Sequence, residues 1–319
     1  MRMTRVAAVD CGTNSIRLLV ADVDPATGTL KDLDRRMEIV RLGQGVDRTG
    51  ELAPEALERT FAAARRYAER IGELGAERVR FVATSATRDA RNREDFVAGV
   101  REILGVEPEV VSGVEEAELS FRGATSVLGG AHPGPFLVVD IGGGSTELVL
   151  GERTVRAARS MDVGCVRMTE RHLADDPPTA EQVAAAAADV RAALDAAAQE
   201  VPLGTARTLV GLAGSVTTVT AHALGLGTYE PVRIDGAVLG VEEVLAACAS
   251  LTSMSRAERA GLGFMHPGRV DVIGAGALVW SLVVERVHAE VAAAGGSLET
   301  VVTSEHDILD GIALSAAGA

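Results

Sequence analysis

Two carboxylates flank a glycine turn near the middle of the chain, and their spacing suits a phosphate bound with its counter-ion. In the segment 138–150, VVDIGGGSTELVL, Asp140 precedes the turn and Glu147 follows it. Glycines leave the backbone N–H groups open to an anion, and the hydroxyls of Ser145 and Thr146 add donors. Bare carboxylates would repel a phosphate unless a divalent cation lay between them. An ordinary glycine-rich hairpin is the alternative for this turn taken alone.

A similar arrangement occurs near the N-terminus. An apolar run ends in Asp10, a turn of small polar residues follows at 11–15, and residues 16–20 are again largely apolar. Each of the two segments has the pattern of a strand, a turn and a returning strand. Two aspartate-bearing hairpins suggest two similar half-structures whose turns face one cleft. Asp10 is then a third candidate metal ligand, although a turn-capping aspartate is an equally good interpretation.

The two hairpin segments together resemble the paired phosphate loops of the actin/Hsp70/sugar-kinase superfamily. DCGTNSIRLLVAD and DIGGGSTELVLG carry this resemblance, and with SGVEEA at 112–117 the chain resembles the exopolyphosphatase and guanosine-pentaphosphate phosphatase family from about residue 6 to residue 311. The resemblance implies an α/β fold of two ribonuclease H-like (actin-like ATPase) domains, with mixed sheets and an interdomain cleft. It implies a hydrolase that uses Mg²⁺ or Mn²⁺ to release orthophosphate from the ends of inorganic polyphosphate. A homodimer is a further expectation from the family.

The resemblance also assigns a catalytic base. In the family, SGxEEA carries the base on the glutamate next to alanine, which is Glu116 here. A water attacking a terminal phosphoryl group needs such a carboxylate nearby to take its proton. The residues alone do not separate Glu116 from Glu115, because adjacent side chains point in different directions. Two solvated acids at a helix start are the plainer interpretation of the pair.

The remaining expected contacts follow the same resemblance. Asp10, Asp140 and Glu147 form the candidate metal group. Arg88, in the segment ATSATRDARN, matches an arginine of the family and could hold phosphate oxygens in a bidentate manner, whereas Arg17 and Arg91 are weaker candidates. The expected substrate-binding residues are Thr13, Asn14, Ser15, Arg88, Gly143, Gly144, Ser145 and Thr146.

Alternating strand and helix patterns predict two α/β domains. The first covers residues 1–130 and the second 131–306, with GGAHPGP at 129–135 as the linker. A closing helix within 307–319 is expected to pack back on the first domain. A third small-residue turn, GLAGSVTT at 211–218, lies where kinases of the superfamily hold adenosine. It has no evident base-recognition group, so a phosphate contact and a packing role are both open.

Composition excludes several classes of protein. The formal net charge of −14 argues against general binding of nucleic acid or anionic membranes. The three cysteines contain no CxxC pair, so a disulfide framework or a zinc site is not expected. The sequence has no apolar signal region and no apolar run of membrane-spanning length, so a cytoplasmic protein is expected.

The motifs leave the substrate open between polyphosphate and guanosine pentaphosphate, since both would share the same phosphoryl-transfer chemistry. The scarcity of aromatic residues near 211–218 favours polyphosphate. A sugar or acetate kinase of the same fold is also compatible with the paired turns, as is a non-catalytic protein that binds polyphosphate or (p)ppGpp. Longer family members carry extra C-terminal helical domains, so a preference for short polyphosphate is expected of a chain with two core domains.

Overall fold

A computed structural model describes residues 3–128 and 131–318. Strands β1 to β11 are Thr4–Cys11, Ser15–Val23, Leu30–Ile39, Arg78–Ala83, Glu109–Val110, Phe136–Ile141, Thr146–Gly151, Val155–Met161, Thr208–Leu212, Val238–Gly240 and Thr300–Thr303. Helices α1 to α13 are Val46–Thr49, Pro54–Leu74, Ser85–Asp89, Arg93–Leu104, Gly113–Leu128, Cys165–His172, Ala180–Ala198, Ala213–Ala223, Pro231–Ile234, Val241–Ser253, Arg256–Ala260, Ile273–Ala293 and Ile308–Ala317.

The described chain divides into two compact units. The first unit contains the residues up to Ser126 together with those from Asp307 onward, and the second is Val127–His306. Of the predicted linker at 129–135, Gly129 and Gly130 lie outside the described residues. No helix within 3–128 or 131–318 combines the length and apolar character needed to cross a bilayer.

The sheet of the first unit has the strand order β3-β2-β1-β4-β5. Strands β1, β2 and β3 form an antiparallel meander, whereas β4 is parallel to β1 and β5 is parallel to β4. Side chains of β1 alternate between two cores because successive residues of a strand point to opposite faces. Val9 packs with residues of α2 and α4 such as Tyr67 and Phe96, and Val6 packs with residues of α13 such as Ile312.

The sheet of the second unit repeats this topology. Its order is β10-β11-β9-β6-β7-β8, in which β6, β7 and β8 form the antiparallel meander and β9 and β11 continue it in parallel. Strand β10 adds an antiparallel edge next to β11. The largest buried side chain of its core is Trp280 of α12. The predicted α/β class with mixed sheets is confirmed in each unit, and the strand orders are those of the ribonuclease H-like fold.

Helix α13 is held closely against its neighbours in the first unit. A Cβ added to Gly311 would lie 2.0 Å from the carbonyl oxygen of Leu119 in α5, and one added to Gly123 would lie 1.8 Å from the carbonyl oxygen of Asp307. Only glycine allows backbones to approach this closely. The start of α13 therefore contacts both the sheet and helix α5, which carries Glu116 near its own start.

Candidate active site

The hairpin β6–β7 places two carboxylates side by side. Asp140 and Glu147 are directly opposite each other in the strand register, so both side chains lie on the same face of the sheet. The two residues are only 7% and 1% exposed. Ser160 lies opposite Glu147 on the third strand, and its hydroxyl donates a 2.7 Å hydrogen bond to Glu147 Oε1. The three residues form one polar row across β6, β7 and β8.

The glycine turn of this hairpin is fastened to the start of α6. The N–H of Gly142 donates to the carbonyl of Ser145 at 3.0 Å, which closes the turn. The carbonyl of Gly143 accepts from the N–H groups of Val166 and Arg167 at 2.9 and 3.1 Å. Among the hydrogen bonds within 3–128 and 131–318, none uses the N–H of Gly143 or Gly144 as donor, so both are available to an anion.

Ser145 and Thr146 differ in what their hydroxyls do. The Oγ1 of Thr146 is fully buried and donates to the carbonyl of Val163 at 2.6 Å. Its proton is thus used to hold the hairpin against the loop that precedes α6. Ser145 is 2% exposed and its carbonyl closes the turn. Of the two hydroxyls predicted to contact substrate, that of Thr146 is already engaged as a donor within the fold.

The first-unit turn has the same closing contact. The N–H of Gly12 donates to the carbonyl of Ser15 at 3.0 Å, matching Gly142 and Ser145 of the other hairpin. The carbonyl of Asn14 accepts from two backbone N–H groups that follow β3, at 3.0 and 2.9 Å. The Oγ1 of Thr13 is buried and has no hydrogen-bond partner among the described residues. A buried hydroxyl without a partner is unusual in a folded protein, and this one is free to contact a ligand.

Asp10 has a cationic partner. Arg17 is opposite Asp10 in the β1–β2 register, and its Nε and Nη2 donate to Asp10 Oδ2 at 2.9 and 2.7 Å. Its Nη1 donates to Asp307 Oδ2. Burial raises the pKa of Asp10 above its ordinary value, although Arg17 favours the charged form. Burial opposes the charge on Arg17, but Asp307 and Asp10 outweigh it and raise the arginine pKa well above its usual range.

Glu116 is the more buried of the two adjacent glutamates of α5. Its side chain is 10% exposed, whereas the Glu115 side chain is 44% exposed and pairs with Arg80. Nη1 of Arg88 donates to Glu116 Oε2 at 2.9 Å and to the carbonyl of Val111 at 3.0 Å. The arginine predicted to bind substrate phosphates is thus in contact with the predicted base. Its direct contact with substrate stays a prediction.

Within 3–128 and 131–318, no group of three or more His, Cys, Asp or Glu residues is arranged to hold a metal. The pair Asp140 and Glu147 supplies two of the three predicted ligands. This is compatible with Mg²⁺, which commonly uses one or two protein carboxylates and completes its octahedral shell with water and phosphate oxygens. Like charges directly opposite on a sheet are destabilising, so a cation would also relieve the repulsion within the pair.

The third small-residue turn joins β9 to α8. Ala213 has a φ of 65°, a left-handed conformation that is uncommon outside glycine. The guanidinium of Arg269 covers Gly214, because a Cβ there would lie 2.2 Å from the arginine Cζ. The hydroxyl of Tyr229 lies 2.8 Å from Thr217 Oγ1. The sequence offered no aromatic residue near this turn, but the fold brings one to it, so the scarcity of aromatics is a weak argument against a nucleotide.

Sequence reasoning missed three residues that shape these turns. Ser160 and Asp307 contact Glu147 and Arg17 respectively, and Gly164 lies against the glycine turn. The strand pairing of Ser160 could have been inferred once three consecutive strands were assigned, since residues in register across a meander are neighbours. The contact of Asp307 spans 290 positions and has no local signal.

Residues 19–306 match the Ppx/GppA phosphatase family, and the chain belongs to this family. It is 53% identical to Exopolyphosphatase 2 of Mycobacterium tuberculosis over 325 aligned residues, which cover all of both chains.

Solved structures show the same relationship. An exopolyphosphatase-like protein of 49% identity superposes with a TM-score of 0.96 and covers 99% of this chain and 98% of its own. The Aquifex aeolicus Ppx/GppA enzyme is 30% identical, with a TM-score of 0.79 over 98% of this chain and 99% of its own. An exopolyphosphatase from Cytophaga hutchinsonii shares the fold at 22% identity, with a TM-score of 0.83 over 97% and 96% of the two chains.

Proposed function

We propose that this chain is an exopolyphosphatase that hydrolyses the terminal phosphoanhydride bond of inorganic polyphosphate and releases orthophosphate. The full-length similarity to Exopolyphosphatase 2 supports this activity. The observation that carries it in the structure is the pairing of Asp140 with Glu147 beside a turn whose Gly143 and Gly144 N–H groups are available. Anion donors next to opposed carboxylates suit a phosphate that binds together with a cation.

Each of the two turns offers backbone and hydroxyl donors of the kind that would hold phosphoryl oxygens. The second-unit turn offers the N–H groups of Gly143 and Gly144 and the hydroxyl of Ser145. The first-unit turn offers Asn14, Ser15 and the hydroxyl of Thr13, which has no hydrogen-bond partner in the described part of the chain. Donors of this kind stabilise charge on the equatorial oxygens without forming a covalent bond, so a phosphoenzyme is not required.

Glu116 would act as the general base. Glu116 is buried, so few solvent molecules compete for its carboxylate. Arg88 donates to Oε2 and holds the carboxylate in one orientation, in which it can align a water and take its proton. The residues alone gave no basis for choosing Glu116 over Glu115 as the base. The exposure of Glu115 and its pairing with Arg80 support the choice of Glu116.

Asp140 and Glu147 would hold Mg²⁺ or Mn²⁺, and Asp10 stays the third ligand predicted from the sequence. The ion supplies positive charge that offsets the repulsion between carboxylates and phosphate oxygens. Hard oxygen donors are the ligands that Mg²⁺ prefers, and the hairpin register fixes two of them next to each other. Ser160 orients Glu147 through its hydrogen bond.

The experiment is a comparison of phosphate release by the wild type, Glu116→Gln and Glu115→Gln, with polyphosphate, pppGpp and ATP as substrates, each with and without Mg²⁺. We expect Mg²⁺-dependent release from polyphosphate that Glu116→Gln abolishes with little change in substrate binding, and that Glu115→Gln retains. Loss of activity in Glu115→Gln alone would show that the base is wrongly assigned. A higher kcat/KM for pppGpp than for polyphosphate would establish the guanosine-pentaphosphate phosphatase instead.

The substrate's length is tested in the same assay. Polyphosphates of defined short and long chain length are compared at equal concentrations of chain ends. The preference for short polyphosphate stays a prediction, and a higher kcat/KM for very long polymers would contradict it.

A further inference from the structure

We propose that Asp307 is a positioning residue for Asp10 and acts through Arg17, so that only one oxygen of Asp10 is presented at the first-unit turn. This inference rests on the proposed function, in which Asp10 serves the metal–phosphate site. Both hydrogen bonds from Arg17 reach Asp10 Oδ2, and no residue within 3–128 or 131–318 donates a hydrogen bond to Oδ1. The carboxylate is therefore held through Oδ2, while Oδ1 accepts no hydrogen bond from the described residues.

Arg17 is itself held by Asp307. Its Nη1 donates to Asp307 Oδ2, so a single guanidinium connects the two carboxylates. The planar guanidinium has its donors in a fixed geometry, which means that fixing one side of the group orients the other. Without Asp307 the arginine would keep its bonds to Asp10 but could rotate together with it.

The position of Asp307 is fixed because this residue caps α13. Its Oδ1 accepts from the N–H of Leu309 at 3.0 Å, and its own N–H donates to Asp310 Oδ2 at 3.1 Å. Helix α13 packs on the sheet that carries Asp10, and Gly311 brings its backbone against α5. The two oxygens of Asp307 thus have separate tasks, since Oδ1 caps the helix and Oδ2 holds Arg17.

Because the two oxygens of Asp307 have different partners, one substitution can remove the contact with Arg17 and keep the helix cap. Asparagine caps a helix about as well as aspartate, so Asp307→Asn should keep the cap while removing the charge that holds Arg17. Loss of a residue that orients a metal ligand typically costs 10–100-fold in activity or metal affinity. For Asp307→Asn we expect about a tenfold loss in kcat, a change in KM below about twofold, and a similar loss in Mn²⁺ affinity.

The test is a double-mutant cycle with Asp10→Asn, read both as kcat on polyphosphate and as Mn²⁺ affinity from the electron paramagnetic resonance signal of free Mn²⁺. If Asp307 acts through Asp10, Asp307→Asn should change neither quantity further in the Asp10→Asn background. Asp22→Asn is the matched control. It removes a carboxylate that pairs with Arg5 across the same two strands, β1 and β2, and its effects should be independent of Asp10→Asn.

Multiplicative effects of Asp307→Asn and Asp10→Asn, or unchanged kcat and Mn²⁺ affinity in Asp307→Asn, would overturn the proposal. If Asp307→Asn does not fold, Asp307→Ser provides another capping residue without the charge. A wild type that binds Mn²⁺ but does not hydrolyse polyphosphate would refute the proposed function, and the cycle on Mn²⁺ affinity would still decide the role of Asp307.

Discussion

Asp140 and Glu147 stand opposite each other in the second-unit hairpin, whereas the equivalent positions of the first-unit hairpin are occupied by Asp10 and Arg17. The two hairpins share their strand directions and their turn-closing hydrogen bond, but they differ in charge. The first contains its own counter-ion, and the second pairs two acids. The need for a bound cation is therefore greater in the second hairpin, because the residue opposite Asp140 is an acid and not an arginine.

This difference predicts the response of metal dependence to Glu147→Gln. Removing one of the two opposed carboxylates should raise the Mg²⁺ concentration for half-maximal activity by at least about tenfold, since the hairpin would then offer the ion one carboxylate instead of two. The measurement is the initial rate of phosphate release against Mg²⁺ concentration. Glu152→Gln is the control, because Glu152 is exposed beyond the same hairpin and pairs with Arg156. An unchanged Mg²⁺ requirement in Glu147→Gln would exclude this residue as a ligand.

Arg88→Gln separates two roles for this arginine. If Arg88 holds Glu116, its substitution removes a hydrogen bond to a charged group and should raise the activation free energy by roughly 2 kcal/mol. This corresponds to a fall in kcat of about thirtyfold, with little change in KM. If its main contact is with substrate phosphate, KM should rise instead. Steady-state kinetics on polyphosphate distinguishes the two, and Arg91→Gln serves as control because Arg91 is exposed and pairs with Glu51. Wild-type kinetics in Arg88→Gln would contradict both roles.

Much of the fold could be predicted because its signals are local. The apolar run before Asp140, the glycine turn and the run after Glu147 predict a hairpin, and the structure places β6 and β7 on either side of that turn. Strand boundaries are harder to predict. The sequence pattern predicts the third strand near residues 35–42, but it spans Leu30–Ile39, because its alternating charged residues resemble a surface loop as much as an edge strand.

The candidate site could be predicted only in part, because residue types do not show their partners. Nothing near Arg88 in the sequence indicates that its guanidinium contacts Glu116 rather than solvent. The Thr146 hydroxyl looks like an anion donor in sequence, yet the fold directs it to the carbonyl of Val163. Such contacts depend on the packing of α5 and of the loop before α6, which no short-range pattern encodes.

Gly164→Ala tests whether the glycine turn needs its present position. A Cβ at residue 164 would lie 2.5 Å from the carbonyl oxygen of Gly143 and 2.8 Å from the carbonyl carbon of Gly144, so the turn must move. We expect at least about a tenfold loss in kcat/KM and about 1–3 kcal/mol of lost stability, the usual range for overpacking. Urea unfolding and steady-state kinetics measure the two effects.

The control for this substitution is Gly72→Ala in α2. Apart from the backbone of its own helix, a Cβ there meets no atom of the described residues within 4 Å, so alanine should increase stability by up to about 1 kcal/mol and leave kcat/KM unchanged. Full activity in Gly164→Ala would show that the turn tolerates displacement, and would remove the geometric argument for its N–H groups as phosphate donors.

The cysteines predict how stability depends on pH in the alkaline range. Cys11, Cys165 and Cys248 are buried, and burial raises the pKa of each thiol. Unfolded thiols lose their protons near pH 8.5, whereas the folded ones keep them, so the folded state binds more protons above that pH. Stability should then be unaffected by these groups below about pH 8 and should fall as pH rises, by roughly 1 kcal/mol per cysteine at pH 9.5.

Urea midpoints at pH 7.5 and 9.5 measure the loss, and Cys248→Ala should reduce the difference between them. Equal midpoints at the two pH values, or rapid reaction of the native protein with a thiol reagent at pH 8, would contradict the burial of these side chains.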